Sequence, residues 1–197
     1  MSDSLNQKIK KRSIISGLVL GVVLLALSIA SFYLIISATA NVMMVIFSPI
    51  LFSVLLPVVV VLLFCFDLRK RIGGYWTFRQ AVSGIFIMFL VSYMIQVLGR
   101  DMLFARLIEP DMMSKTQAAM VRATTELAKR TGANQAAVAQ KQAEIQKQFE
   151  DQKNITMGGI LQGYIFTIMF LFIFALAFAA LFRRNPPEYM TPVNPDE

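Results

Sequence analysis

The sequence contains no histidine, and its only cysteine is Cys65. Without histidine, the commonest general base near neutral pH and the commonest zinc ligand are both missing. A lone cysteine closes no intramolecular disulfide and builds no cysteine cage around a metal. Charge is also scarce, at 16% of residues, where a soluble domain carries about 25%. The carboxylates do not pair at catalytic spacing. No glycine loop of the kind that cradles phosphate is present, and no serine sits in a nucleophile elbow. The expectation is a chain that is not an enzyme and carries no cofactor or metal.

What is abundant is apolar sequence, 56% of the chain, gathered into a few long runs. The residues from Ile14 to Ile36 include no charge. At 1.5 Å per residue such a helix crosses a hydrocarbon core of about 30 Å. The run follows Lys8, Lys10, Lys11 and Arg12, and Ala38-Thr39-Ala40 resembles a cleavage site, so a signal peptide is the competing reading. The run is too long for a signal core and further spans follow, so an uncleaved first helix is the better account. A second run, Val42 to Phe66, includes Pro49 and Pro57 and ends at Asp67-Leu68-Arg69-Lys70-Arg71 before Gly73-Gly74. Proline inside a membrane helix frees a carbonyl and tends to kink it.

A third helix is expected to begin near Trp76 with Thr77 as its N-cap, Tyr75 and Trp76 suiting the headgroup level. Its uncharged part is Gln80 to Gly99. Beyond Arg100-Asp101 the chain is again apolar to Ile108, either continuing the helix out of the bilayer or bending along its surface, and Pro110 should stop it. The last run, Met157 to Phe182, ends at Arg183-Arg184, and the proline-rich tail after it should lack fixed structure.

Between the third and fourth runs the chain is polar and rich in Ala, Gln, Lys and Glu, a helix-favouring mixture. Gly132 and Asn134 interrupt it as a glycine C-cap and an asparagine N-cap would. Met113, Met120 and Leu127 fall seven apart, as do Val138 and Ile145, with Phe149 four further on. That stripe is wide enough for a two-helix seam and too narrow for an independent core.

The net charge of +7 comes from 19 Lys and Arg against 12 Asp and Glu. Many of the cations lie just outside the apolar runs, so the balance calls for no nucleic-acid partner. Cations precede the first span, fill the loop after the second and follow the fourth, whereas the turn after the first span has none. By the positive-inside rule both termini are cytoplasmic. The segment from Arg100 to Lys153, with nine Lys and Arg of its own, opposes this assignment, although its length approaches the range in which loops translocate regardless of charge. The resulting map has a cytoplasmic N-terminus over 1–13, spans over 14–36, 42–66, 77–99 (extensible to 108) and 157–182, and a cytoplasmic loop over 67–76. An extracytoplasmic hairpin covers 111–154 and a cytoplasmic tail 183–197.

Each motif has a simpler account beside its functional one. Gly17-x-x-x-Gly21 and Gly159-x-x-x-Gly163 suit a dimer interface, but contact within one bundle explains them as well. Gln96, Gln162, Tyr164 and serines 28, 31, 53, 83 and 92 would suit a transporter site, yet hydroxyls bond to their own helices and serve packing. Arg79 suits a lipid phosphate or an anionic substrate, and equally a side chain snorkelling to the interface. The Arg69-Lys70-Arg71 cluster suits anionic lipid, though its topological role already explains it. Arg100-Asp101 reads as a bilayer boundary, and Glu109 and Asp111 beside Pro110 as helix caps.

Several of these stretches together resemble a known family. They are Gly73-Gly74-Tyr75-Trp76-Thr77-Phe78-Arg79-Gln80-Ala81 opening the third span and Ile108-Glu109-Pro110-Asp111-Met112 at its exit. A polar helical stretch and a last span ending in basic residues complete the pattern. It is similar to domain of unknown function 4199, four-span membrane proteins found chiefly in Bacteroidota. The resemblance spans nearly the whole chain, from which this sequence departs in its Ala/Gln-rich polar segment and longer proline-rich tail. It implies a four-span bacterial inner-membrane protein and no activity. The expected fold is therefore an all-α membrane protein, with four transmembrane helices and a polar hairpin between helices three and four. The expected function is a non-enzymatic structural or interaction component of the inner membrane. Its expected partners are the lipid bilayer and, through the hairpin, a membrane protein or a second copy. A small transporter or channel component is the alternative.

Overall fold

The computed structural model describes residues 2–37, 47, 50–132, 134–154 and 156–183. All its regular elements are helical. Helix α1 (Ser2–Ser37) runs without a break from the basic N-terminal stretch through the first apolar run. A π-helical turn, Leu51–Leu55, leads into α2 (Leu56–Ile72). Pro57 has no N–H to give the ladder, and the wider turn just before it makes room for its ring. The turn closes when the Leu56 N–H donates to Leu51 O. Pro49 and the Ala38 to Asn41 stretch lie outside the described residues.

Helix α2 ends at two glycines. The Gly73 N–H donates to Lys70 O at 3.3 Å and the Gly74 N–H to Arg69 O at 3.0 Å. This is a Schellman closure, and it needs the positive φ of 119° and 86° that Gly73 and Gly74 supply. Helix α3 (Phe78–Gln96) then starts with a reciprocal capping box. The Gln80 N–H donates to Thr77 Oγ1 at 3.4 Å, and the Thr77 N–H donates to Gln80 Oε1 at 3.0 Å.

Helix α3 passes directly into a π-helical segment, Val97–Ile108. The chain stays helical through Arg100 and Asp101 until the Glu109 N–H donates to Phe104 O at 2.8 Å, immediately before Pro110. Helices α4 (Met112–Thr131), α5 (Gln135–Lys153) and α6 (Met157–Phe182) complete the chain. The four segments Asn6–Ser37, Leu51–Ile72, Phe78–Ile108 and Met157–Phe182 are long and apolar enough to cross a membrane. The chain is an all-α membrane protein with four transmembrane helices.

The contacts divide into two units. The first comprises residues 1–21, 60–94 and 166–197, and the second residues 22–59 and 95–165. The first holds most of the buried side chains. Ile9, Ser13, Ser16 and Leu20 are buried along one face of α1, and Ala81, Ile85, Met88 and Ser92 along α3. Ala175, Ala179 and Phe182 are buried on α6. Several of these are small, which is how membrane helices approach closely when lipid is as apolar as leucine. A Cβ added at Gly17 would lie 2.7 Å from Met88 O and 2.9 Å from Val91 Cβ, so the two backbones meet there. Phe86 and Phe89 of α3 stand edge-on to Phe172 and Phe178 of α6, with centroids 5.4 and 5.7 Å apart.

Trp76, expected at the headgroup level, turns its ring into the protein and away from lipid. It is 1% exposed, and its indole Nε1 donates to Phe182 O at 2.9 Å. A tryptophan buried on all sides must place its N–H on an acceptor, and the last carbonyls of a helix lack intrahelical partners.

In the second unit Phe104 is buried and meets Phe32 and Tyr33 edge-on, at 5.5 and 6.0 Å. Gly99 lies against Leu25, whose Cδ2 a Cβ there would overlap. Helices α4 and α5 pack together. Gly132 ends α4 at φ 62°, its N–H donating to Ala128 O, and the Asn134 side chain accepts from the Ala136 N–H at 3.0 Å to open α5. Gln142 Nε2 donates to Thr125 Oγ1 at 2.9 Å across the pair.

Candidate functional site

In the first unit the cations of three chain segments collect around three cavities. The first, about 270 Å³, has Arg12 and Ser16 from α1 opposite Asp67 and Arg71 from α2. The Arg71 Nε donates to Asp67 Oδ2 at 2.5 Å, so one carboxylate offsets part of this charge. The second, about 320 Å³, is lined by Phe66, Asp67, Arg69, Lys70, Gly74 and Tyr75. Here the Arg69 guanidinium lies 5.7 Å above the Phe66 ring, a cation–π arrangement.

The third cavity, about 380 Å³, differs in having no carboxylate among the described residues that line it. Asn6, Ile9 and Lys10 of α1 face Thr77, Arg79, Gln80 and Ser83 at the start of α3. Arg79 is therefore grouped with a second cation and several hydroxyl and amide groups.

In the second unit the candidate surface is the hairpin. Of its apolar stripe Phe149 is buried at 9% exposure, whereas Met120 and Leu127 are 37% and 40% exposed. Exposed Lys129–Glu126 and Lys141–Glu144 pairs line its outside. At its base Lys115 pairs with Glu109. The hydrogen bond to Glu109 holds the Lys115 ammonium above its ordinary pKa, opposed by desolvation and reinforced by the charges of Glu109 and Asp111. Asp111 occupies the N-cap of α4 without a capping hydrogen bond from its side chain, so it does not cap as the sequence reading had it.

The other singled-out residues are dispersed. Ser31 and Ser92 are buried, whereas Ser53, Ser83 and Gln162 are exposed. Gly17 packs within the chain, and a Cβ at Gly163 would meet nothing within 4 Å. Arg100 and Asp101 are exposed on the π-helical segment, and Cys65 is fully buried. Among the described residues no three His, Cys, Asp or Glu side chains converge as a metal site would require. Sequence reading missed the grouping of Lys10 with Arg79. The only signal was that both sit at the edge of an apolar run.

The family model described as protein of unknown function (DUF4199) matches residues 15–184. The chain belongs to this family. The match takes in all four candidate spans, apart from the first residues of α1, together with the hairpin. No match is found among curated proteins or among solved structures. The family description assigns no activity, so the function of this DUF4199 protein is argued from its own residues.

Proposed function

We propose that the protein is a non-enzymatic structural or interaction component of a bacterial inner membrane. Both termini lie in the cytoplasm in this reading, and the hairpin projects outside it and packs against a membrane-protein partner or a second copy. The observation that carries the reading is the hairpin seam. Its two helices are held by their own caps and by the Gln142–Thr125 bond, yet Met120 and Leu127 remain more than a third exposed. A pair of helices with so little enclosed apolar surface gains most from covering that stripe with another protein. The orientation rests on the cations that precede the first span, lie between the second and third, and follow the fourth.

Deleting residues 111–153 tests the reading. Membrane insertion should persist while a co-purifying protein or the oligomer is lost, and association that survives the deletion would overturn it. Orientation is tested with Gln135→Cys in a Cys65→Ser background, probed in intact cells by a membrane-impermeant thiol reagent. Labelling before lysis supports an extracytoplasmic hairpin, and labelling only after lysis places it in the cytoplasm.

A further inference from the structure

We propose that the cavity between the start of α1 and the start of α3 binds the phosphate of an anionic phospholipid headgroup. The proposal is independent of what the hairpin contacts. It begins with depth. Lys10 lies just ahead of the uncharged run that begins at Ile14, and Arg79 lies in the first turn of α3, so the cavity lies where apolar helix gives way to basic sequence. In a membrane protein this is the level of lipid phosphates.

The second step is charge. Lys10 from α1 and Arg79 from α3 both line the cavity, and among the described residues no carboxylate does. The two neighbouring cavities both include Asp67, which is already paired with Arg71. Of the three, this one offers positive charge with no anion to offset it among the described residues.

The third step is the direction of the hydrogen bonds. In the capping box Thr77 Oγ1 accepts from the Gln80 N–H and Gln80 Oε1 accepts from the Thr77 N–H. Both side chains have thereby committed an acceptor to the backbone. Each also has a donor, the Thr77 O–H and the Gln80 amide N–H₂, beside one further lone pair. Ser83 adds a hydroxyl, and Lys10 and Arg79 have donors only. The lining thus combines two donor-only cations with the hydroxyl and amide donors of Asn6, Thr77, Gln80 and Ser83, with Ile9 as its apolar wall. A phosphate diester, all acceptor and negative, is its complement. A headgroup that also carries an ammonium would bring a cation towards Lys10 and Arg79 with no carboxylate to receive it, so phosphatidylglycerol should bind in preference to phosphatidylcholine.

The test is native mass spectrometry of the full-length protein released from detergent, titrated separately with phosphatidylglycerol, phosphatidylcholine and inorganic phosphate. The wild type should retain one phosphatidylglycerol in preference to phosphatidylcholine. Lys10→Gln combined with Arg79→Gln should weaken that retention about thirtyfold. Arg69→Gln combined with Lys70→Gln, which removes equal charge outside the cavity, should leave the preference intact. Lys10→Arg combined with Arg79→Lys keeps both charges and should restore retention, which separates loss of the site from loss of the fold. Equal retention of the two lipids overturns the proposal, and so does an equal loss in the two glutamine pairs. Competition by inorganic phosphate that displaces the lipid would assign the site to a soluble phosphate and overturn the lipid assignment.

Discussion

The indole N–H of Trp76 meets the carbonyl oxygen of Phe182 at 2.9 Å, joining the residue just before the N-cap of α3 to the last residue of α6. The bond spans 106 residues of sequence and lies in a buried setting. Trp76→Phe keeps most of the ring volume but leaves the Phe182 carbonyl without its donor. The expected loss is about 1 kcal/mol, between the cost of an unsatisfied buried carbonyl and the lower average for hydrogen bonds between membrane helices. Trp76→Ala also removes the packing and should cost about 3–5 kcal/mol. Thermal unfolding in detergent micelles measures both. A Trp76→Phe protein as stable as wild type would show that water reaches the Phe182 carbonyl.

Two glycines with the same sequence signature should respond oppositely to alanine. At Gly17 the new methyl would meet Met88 O at 2.7 Å, a backbone atom that cannot rotate away. Gly17→Ala should therefore destabilise by about 1–3 kcal/mol through a forced backbone shift. At Gly163 the methyl would meet nothing within 4 Å, so Gly163→Ala should change stability by no more than about 0.5 kcal/mol. The same micelle assay decides. Equal effects at the two sites would mean that close packing does not set the cost at Gly17.

The turn between α4 and α5 rests on one glycine and one asparagine. Gly132 has φ of 62°, a conformation that costs an L side chain about 1–2 kcal/mol. Asn134 caps α5 through the Ala136 N–H at 3.0 Å, and its loss to alanine should cost about 1 kcal/mol. Hydrogen exchange of the hairpin amides should quicken in Gly132→Ala and Asn134→Ala while the spans keep their protection. Uniform change across the whole chain would show instead that the hairpin and the spans open together.

These local devices were legible in the sequence because each is written within a few residues. Thr77 ahead of Gln80 and Gly132 ahead of Asn134 carry their own stop and start chemistry. The apolar runs were legible for the same reason, since length and hydropathy are counted along the chain. Three features were not. The burial of Trp76 depends on a carbonyl 106 positions away, and an aromatic residue beside a span reads equally well as a headgroup anchor. The change from α-helical to π-helical winding at Val97 leaves no mark in the sequence, where neither proline nor a capping pair signals it. The grouping of Lys10 with Arg79 is a matter of which helices are neighbours, and a charge count at the end of a run gives only their number.

Lys115 and Glu109 make the last prediction, because their pairing sets a direction in pH. The Lys115 pKa is raised above its ordinary 10.5, chiefly by the hydrogen bond to Glu109. A lysine whose folded pKa is raised contributes stability that is fully present below its unfolded pKa. That contribution is lost as pH rises through the raised value. Lys115→Met should therefore melt at a lower temperature than wild type at pH 8, and the two should converge once wild-type Lys115 has lost its proton. Glu109→Gln removes the largest cause of the shift, so the Lys115 titration, followed by NMR at Cε, should fall back towards 10.5. A wild-type midpoint identical to that of Glu109→Gln would show that the pair does not form in solution. The bond closes a six-residue loop across Pro110, from the end of the third span to the first turn of α4. Its loss should accordingly appear first as faster hydrogen exchange at the start of α4.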